Sequence, residues 1–108
     1  MPQPQPEDVT DAERWMVIGA RRWRRTDPSL PTELVDALKS HLGRGRSGVR
    51  SAKLRDDEGG VVMARRRVDL AKHGLGERGP AWWDDDGAAR LRRAHEALTK
   101  PADLDGER

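Results

Sequence analysis

Residues 15–31 have the sequence WMVIGARRWRRTDPSLP, and this stretch decides the fold. Strand-favouring side chains stand on both sides of Gly19 and Ala20. A glycine followed by alanine suits a two-residue type II′ turn, which places glycine at its first central position. The stretch therefore predicts a β-hairpin, which is only marginally stable alone and requires a covering helix.

A two-residue turn sets the register of the predicted hairpin. The expected pairs are Trp15 with Arg24, Met16 with Trp23, Val17 with Arg22 and Ile18 with Arg21. Met16, Ile18 and Trp23 then share one face, which we expect to be buried and to anchor the hairpin to the helices. Trp15 lies on the opposite face beside arginines, where it is available to a partner. A slip of one residue would exchange the two faces.

A first long helix is predicted after the turn residues Thr26–Ser29, whose polar side chains can cap it, with Pro31 near its first position. One apolar face follows at helical spacing, formed by Leu34, Leu38, Leu42, Gly45, Val49 and Ala52. Three glycines between residues 43 and 48 leave two alternatives, a helix to about residue 53 or a break at Gly43 followed by a basic loop. We favour the longer helix, with or without a kink.

A second helix is predicted after the connecting residues 56–60. Its apolar face consists of Val61, Ala64, Val68, Ala71 and Leu75. Gly74, Gly76 and Gly79 are expected to end it, because glycine favours helix termination. Two amphipathic helices joined by a short polar turn predict an antiparallel helical hairpin.

A third helix is predicted after two adjacent tryptophans, Trp82 and Trp83, of which at least one indole is expected to return to the core. The aspartates at 84–86 can cap this helix, and Pro101 is expected to end it. Its expected apolar face consists of Ala88, Leu91, Ala94 or His95, and Leu98.

These elements predict one small α+β domain at residues 13–99, an N-terminal β-hairpin packed on an antiparallel helical hairpin with a third C-terminal helix. The chain has 108 residues, of which 37% are charged and 34% hydrophobic, so its core is thin. Four tryptophans compensate in part, because each aromatic side chain can bury roughly 150–250 Å². We expect the Pro/Gln-rich, acidic residues 1–12 and the polar residues 100–108 to be flexible tails.

Composition excludes several classes of protein. The chain has no cysteine, which removes disulfides, thiolate metal sites and thiol nucleophiles. It has no apolar run near 18 residues and no apolar signal segment at its start. We therefore expect a soluble, cytoplasmic protein without a membrane partner.

Motifs for catalysis and for metal binding are missing from the sequence. His41, His73 and His95 have no metal-binding spacing, so we expect them at solvated or boundary positions. No serine lies in a nucleophile elbow, and the glycine-rich segment 43–48 lacks P-loop spacing. The aspartates at 84–86 fit a helix cap better than a cation site. We predict no catalytic residue, metal site or cofactor, and no enzymatic activity.

Charge is distributed unevenly along the chain. Residues 14–55 contain eleven Lys/Arg and three acidic residues, a balance of +8, although the net charge of the chain is only +2. If the basic side chains converge, they form a face that can neutralise phosphates, and Trp15 beside Arg24 can stack on a base. The candidate partner-binding residues are Trp15, Arg21, Arg22, Arg24, Arg25, Arg44, Arg46 and Arg50, with further basic residues Lys53, Arg55, Arg65, Arg66 and Arg67 on the two helices.

Several motifs resemble a family of short, actinobacterial-type bacterial proteins. They are RRWRRTDP at 21–28, LPTEL at 30–34, RSGVR at 46–50 and LGERGPAW at 75–82. Members of this family are often labelled "biopolymer transporter Tol" or left as uncharacterised, and no activity is established for the family, so the resemblance implies no catalytic residues. A Tol-type role would require an export signal, a membrane anchor or propeller repeats, and the sequence shows none of these patterns. The glycines at 43, 45 and 48 depart from the family, which has alanine there, and residues 84–108 look like an extension.

The sequence is most typical of a non-catalytic binding or interaction module. The sharpest specific alternative is the binding of nucleic acid or another polyanion through an arginine-rich face. The second alternative is a homodimeric structural protein, because a thin core with apolar stripes on short helices can require a second copy to complete burial.

Overall fold

The structure is a computed structural model that describes residues 10–106, and the side chains of residues 10–100. Its elements are α1 (Asp11–Arg14), β1 (Trp15–Ile18), β2 (Arg21–Arg24), α2 (Thr32–Leu54), α3 (Glu58–Gly74), a 3₁₀ turn (Trp82–Asp84) and α4 (Gly87–Gly106). This order confirms the α+β class, with a β-hairpin, a helical hairpin and a third helix. Residues 1–9 of the expected N-terminal tail lie outside the described residues, and residues 11–12 belong to α1.

The hairpin has the predicted register but a different turn. β1 and β2 are antiparallel and pair residue for residue as expected. Gly19 and Ala20 have φ angles of 55° and 65°. Positive φ at both central positions defines a type I′ turn, so the predicted type II′ turn is wrong. The type I′ turn matches the right-handed twist of the strands, which offsets the strain of placing an alanine in the left-handed region.

The expected burial of one hairpin face is wrong for two of its three residues. Ile18 is 59% exposed and Trp23 is 36% exposed, whereas Met16 is half-buried. The reason is that the hairpin meets the rest of the chain at its open end. There the Trp15 ring packs edge-to-face against Trp83 with 5.4 Å between ring centroids. Trp15, and not Trp23, is therefore the tryptophan that anchors the hairpin.

Helix α2 runs without a break from Thr32 to Leu54, which confirms the longer of the two predicted helices. Its buried residues are Leu34, Leu38, Leu42, Gly45 and Ala52. The expected side-chain cap is wrong, because the N-cap position is Pro31 and no side chain caps the helix. The backbone N–H groups of Leu34 and Val35 donate instead to the Pro31 carbonyl oxygen, at 3.1 and 3.0 Å.

Helix α3 begins earlier than predicted, at Glu58. Its N-cap is Asp57, whose Oδ1 accepts a hydrogen bond from the Gly60 N–H at 2.9 Å. The connector between α2 and α3 is therefore shorter than residues 56–60. The hydrogen bond from Gly60 holds the pKa of Asp57 below its ordinary value. This cap contributes its full stability above the ordinary pKa of aspartate and loses it as pH falls through the lowered pKa.

Helix α3 ends at Gly74, as the glycines predict. Gly76 follows with a φ of 80°, and its N–H donates to the His73 carbonyl oxygen at 3.1 Å. The Glu77 N–H donates to the Lys72 carbonyl oxygen at 2.9 Å. This pair of bonds is a Schellman motif, in which glycine adopts the left-handed conformation without a Cβ clash.

Helix α4 begins as predicted but ends later. Asp86 caps it by accepting a hydrogen bond from the Ala89 N–H at 2.8 Å. The predicted stop at Pro101 is wrong, because the helix continues to Gly106. Proline has no N–H, so the helix passes it with one missing backbone hydrogen bond. Residues 101–106 of the expected C-terminal tail are therefore helical.

The buried face of α4 is rotated from the predicted one. Ala94 and Ala97 are buried, while Ala88, Leu91 and His95 are exposed. The face turns because α4 directs Arg90 towards a buried carboxylate, described below. Apolar spacing alone does not reveal a charged residue that has a partner inside the fold.

The core lies between the three long helices and combines leucines with small residues. Its buried members are Leu30, Leu34, Leu38, Leu42, Ala71, Leu75, Ala94 and Ala97. Two glycines let the helices approach closely. A Cβ on Gly45 would lie 2.7 Å from the Val68 Cγ2, and a Cβ on Gly74 would lie 2.6 Å from the Ala97 Cβ. Close approach increases dispersion contacts in a core that has few large side chains.

A buried carboxylate, Asp27, ties three segments together. It is 2% exposed and forms a bidentate ion pair with Arg90, whose Nε lies 2.7 Å from its Oδ2. Its Oδ1 accepts from the Ser29 N–H at 2.9 Å and from the Ser29 hydroxyl at 2.8 Å. Its own N–H donates to the Leu75 carbonyl oxygen at 2.8 Å. Asp27 therefore connects the segment before α2, the segment after α3, and α4.

Arg90 extends this connection to the hairpin. Its guanidinium carbon lies 5.2 Å from the centroid of the Trp82 ring. Trp82 is 2% exposed, which confirms that one indole returns to the core. The Trp82 Nε1–H donates to the carbonyl oxygen of Arg25, the residue that follows β2, at 3.0 Å. One continuous chain of contacts therefore runs from α4 to the open end of the hairpin.

We expect Asp27→Asn to destabilise the domain by about 3 kcal/mol, since removing one partner of a buried ion pair leaves the other charge uncompensated. The value is near the lower end of the usual range because the Arg90 side chain keeps 16% of its exposure. Urea unfolding measures the loss. Asp36→Asn, at an exposed position on α2, is the matched control and should change stability by less than about 0.5 kcal/mol. A loss below about 1 kcal/mol for Asp27→Asn would contradict the central role of this pair.

Alanine substitution at two glycines of α2 should change the stability of the domain in opposite directions. A Cβ on Gly43 meets nothing within 4 Å, so Gly43→Ala should stabilise the domain by up to about 1 kcal/mol through helix propensity. Gly45→Ala should destabilise it by about 1–3 kcal/mol, because the new methyl group collides with α3. Thermal unfolding of both variants tests this. Equal stabilisation by both would show that α2 and α3 are not in close contact at Gly45.

Candidate polyanion-binding groove

The hairpin arginines do not form the single basic face that the sequence suggests. The Arg22 guanidinium lies over the Trp15 ring, 4.5 Å from its centroid. Arg24 Nη1 donates to the Pro80 carbonyl oxygen at 3.2 Å. Arg25 Nε donates to two carbonyl oxygens, those of Ala12 at 2.8 Å and Trp15 at 3.1 Å. The structure uses these three arginines to hold the hairpin, α1 and the loop after α3 in place.

Trp15 is also part of this internal arrangement. Its ring contacts Trp83 along an edge, and Trp83 contacts Trp82 in the same way with 5.1 Å between centroids. The Arg14 guanidinium lies over the Trp83 ring at 5.1 Å. Alternating indoles and guanidinium groups give each ring both apolar and cation–π contacts. Trp15 is therefore a packing residue of the described structure.

The three predicted arginines of α2 separate onto two sides of the helix. Arg46 and Arg50 are four residues apart and share one side, because a helix has 3.6 residues per turn. Arg44 stands two residues before Arg46, roughly 200° round the helix, and is exposed on the other side. Of the three, only Arg46 and Arg50 can act together on one ligand.

Arg46 and Arg50 meet two further arginines across an open groove of about 450 Å³ between α2 and α3. The groove is lined by Arg46, Arg50, Arg65 and Arg78, with Val49 and Val68 as its apolar part. We call these six residues the basic groove. Arg65 comes from α3, and Arg78 comes from the loop that follows α3.

The basic groove depends on the close packing of α2 against α3. Gly45 is buried at the contact, with the Val68 backbone nitrogen 3.0 Å from the position of a Cβ. Because the helices touch there, side chains that flank the contact on α2 come to face side chains of α3. Arg46 and Arg50 of α2 and Arg65 of α3 lie on the same side of this helix–helix contact, so they face each other across one groove. The sequence marks each of these arginines as basic, but only the helix pairing selects Arg65 over its neighbour Arg66.

Opposite charge compensates one of the four arginines. The Arg78 Nη1 lies 2.8 Å from the Asp69 Oδ1, and the His73 Nδ1 lies 3.5 Å from the Asp69 Oδ2. Arg50 Nη2 donates to the neutral Ser47 hydroxyl at 3.3 Å. Arg46 and Arg65 form no ion pair with any residue in the described part of the chain.

This concentration of positive charge costs stability. Like charges spaced four residues apart on a helix destabilise it by a few tenths of a kcal/mol. The basic groove adds arginines from a second helix and a loop to such a pair. A bound anion would reduce this repulsion.

Lys72 connects the basic groove to the hairpin. Burial lowers the pKa of Lys72, and the positive charges of Arg78 and Arg46 lower it further, while Glu77 opposes the change. Lys72 stands seven residues after Arg65 on α3, so the two side chains share one side of that helix. On its other side, the Lys72 Nζ lies 5.4 Å from the centroid of the Trp23 ring. Sequence spacing alone does not bring Lys72 and Trp23 together.

Trp23 lies at the edge of the basic surface that Lys72 and the basic groove form together. Besides Lys72, the Arg21 guanidinium approaches its ring, with 4.9 Å to the centroid. A cation over an exposed indole contributes about 0.5–1 kcal/mol. Stacking of a nucleobase on an aromatic side chain is worth about 1–3 kcal/mol. The exposed part of the Trp23 ring is therefore a candidate surface for stacking.

A second group of titratable residues lies outside the basic groove. A second cavity of about 340 Å³ between α3 and α4 includes Asp69, His73, Arg93 and Glu96 among its lining residues. Within the described residues, no group of three or more His, Cys, Asp or Glu side chains could hold a metal ion. His95 is exposed, while His41 and His73 lie at the boundary between core and solvent, as expected.

The described helices include none that is both long enough and apolar enough to cross a membrane. No protein-family model matches the chain, and no curated protein or solved structure matches it either. The resemblance to a bacterial family, the non-catalytic role and the homodimer therefore remain predictions.

We expect Arg78→Gln to raise the pKa of Lys72, because the substitution removes a neighbouring positive charge and the partner of Asp69. The pKa should stay below the ordinary value of lysine, since burial is the larger cause of its depression. NMR titration of the Lys72 side chain measures the change. Arg44→Gln, on the far side of α2, is the control and should leave this pKa where it is. If the pKa of Lys72 is unchanged in Arg78→Gln, Lys72 does not belong to the electrostatic environment of the groove.

Proposed function

We propose that this chain is a non-catalytic binding module that holds the phosphate backbone of a nucleic acid in its basic groove. The observation that carries the proposal is the convergence of Arg46, Arg50 and Arg65, from two helices, beside one open groove. Guanidinium groups bind phosphate oxygens through paired, charge-assisted hydrogen bonds. The apolar floor formed by Val49 and Val68 lets the stems of these arginines pack while their charged ends remain accessible.

The spread of charge favours a polymer over a single small anion. Arg65 and Lys72 are seven residues apart on α3, a rise of about 10 Å along the helix axis. One strand of a duplex presents a phosphate about every 3.4 Å along its axis. The basic surface on α3 therefore spans about three phosphates, whereas one inorganic phosphate reaches only part of it.

Other properties of the chain are consistent with this role. Backbone neutralisation requires no catalytic group, cofactor or metal ion, so the proposal includes none. A nucleic-acid ligand also agrees with the cytoplasmic location that the sequence suggests, and we include that location in the proposal. Binding of this kind is driven by the release of counterions and is largely independent of base sequence.

We expect the protein to bind random oligonucleotides, with an affinity that falls as salt increases. If about four phosphates are neutralised, the slope of log K against log salt is about −3 to −4. Combining Arg46→Ala, Arg50→Ala and Arg65→Ala should reduce the slope to about −1 and weaken binding at every salt concentration. Fluorescence anisotropy with labelled oligonucleotides between 25 and about 300 mM salt measures both quantities.

The control removes the same number of charges from other surfaces. Arg44, Arg66 and Arg92 are exposed and do not line the groove. Replacing these three by alanine should leave most of the affinity and of the slope. Equal losses in the two triple variants would show that net charge, and not the groove, is responsible. The absence of salt-dependent binding in the unaltered protein would refute the proposal.

A further inference from the structure

We propose that Trp23 is a stacking platform for an unpaired base, so that the ligand of the basic groove is single-stranded nucleic acid. This inference rests on the function proposed above and names the class of nucleic acid that the site takes. It combines the exposure of one particular indole with the position of that indole next to the groove.

Trp23 differs from the other three tryptophans in its surroundings. Trp82 is enclosed by the core and donates its indole N–H to a backbone carbonyl. Trp15 and Trp83 contact each other edge to face, and each has an arginine over its ring. Trp23 pairs with Met16, one residue pair from the open end of the hairpin, and contacts side-chain cations there. Trp23 is 36% exposed, so part of its ring is open to a ligand.

Both cations next to Trp23 can turn towards phosphates. Arg21 is exposed and Lys72 is half-buried, and neither forms an ion pair with a residue in the described part of the chain. When a base stacks on the ring, the displaced cation remains within reach of the phosphates on either side of that base. Stacking and charge neutralisation are therefore available at one position, as in other sites for single strands.

The path of the backbone then follows the contacts already described. From Trp23 the strand passes Lys72 and reaches the groove at Arg65, which lies on the same side of α3 seven residues before Lys72. The bases of a duplex are stacked on each other and are not available to a flat indole at the protein surface. An unpaired base meets no such restriction, so the combination of ring and groove selects a single strand.

The test compares three ligands of equal length with the unaltered protein. They are a single-stranded DNA oligonucleotide, an abasic sugar–phosphate oligomer with the same number of phosphates, and the corresponding duplex. We expect the base-bearing strand to bind about tenfold more tightly than the abasic oligomer, the difference made by one stacked base. Both should show salt-dependent binding, because both carry the same phosphates. The base-bearing strand should also bind more tightly than the duplex.

Substitutions of Trp23 test whether its ring causes the difference in affinity between the base-bearing strand and the abasic oligomer. Trp23→Ala should lower the affinity for the base-bearing strand to that for the abasic oligomer and leave the abasic oligomer unaffected. Trp23→Phe should retain part of the preference, because a phenyl ring still stacks. Val17→Ala is the control, since Val17 is exposed on the opposite face of the same hairpin, and it should change neither affinity.

The outcomes distinguish this inference from the function on which it rests. Equal, salt-dependent affinity for the base-bearing and abasic strands would overturn the stacking platform and leave the groove as a phosphate site. Tighter binding of the duplex, or an unchanged preference in Trp23→Ala, would also overturn it. No binding of any of the three ligands would refute the proposed function itself. If Trp23→Ala does not fold, the comparison of ligands with the unaltered protein and the Trp23→Phe variant decide the question.

Discussion

The ion pair between Asp27 and Arg90 is the interaction on which the rest of the structure depends. A carboxylate that is 2% exposed is stable only when its charge and its hydrogen bonds are satisfied. Arg90 satisfies the charge, while the N–H and hydroxyl of Ser29 satisfy the remaining acceptor sites. A core of leucines, alanines and glycines has few large side chains to define one packing, so this buried pair defines how α4 docks on the helical hairpin.

The position of the basic surface follows from the same contacts. Arg90 holds Trp82, and Trp82 holds the end of β2 through the carbonyl oxygen of Arg25. The hairpin is therefore attached at its open end, and the next residue pair places Trp23 beside Lys72 near the end of α3. Arginines that point into this junction stabilise the fold, whereas those on the outer flank of α2 and α3 form the groove. Arginines that hold the fold and arginines of the proposed binding groove thus differ in their position.

Much of the fold could be predicted from local patterns. The hairpin register, the unbroken α2 and its apolar stripe, the glycine stop after α3 and the aspartate cap of α4 all depend on interactions between residues that are close in sequence. The sequence-based predictions are wrong where a residue distant in sequence determines which side chains are buried. Ala88 and Leu91 have helical spacing yet are exposed, because Arg90 turns α4 towards Asp27. For the candidate site, the sequence identified Arg46, Arg50 and Arg21, but it also suggested Arg24 and Arg25, whose donors are used by backbone carbonyls.

The sequence by itself determined the elements, their order and the concentration of positive charge in the first half of the chain, because turns, caps and periodicity act over a few residues. Only the tertiary structure decided which basic residues converge. The close contact of α2 and α3 at Gly45 brings Arg65 opposite Arg46, and the attachment of the hairpin places Trp23, not Trp15, beside that surface. The physical reason is that convergence depends on the angle and rotation at which elements pack, and these are set by contacts between residues far apart in sequence.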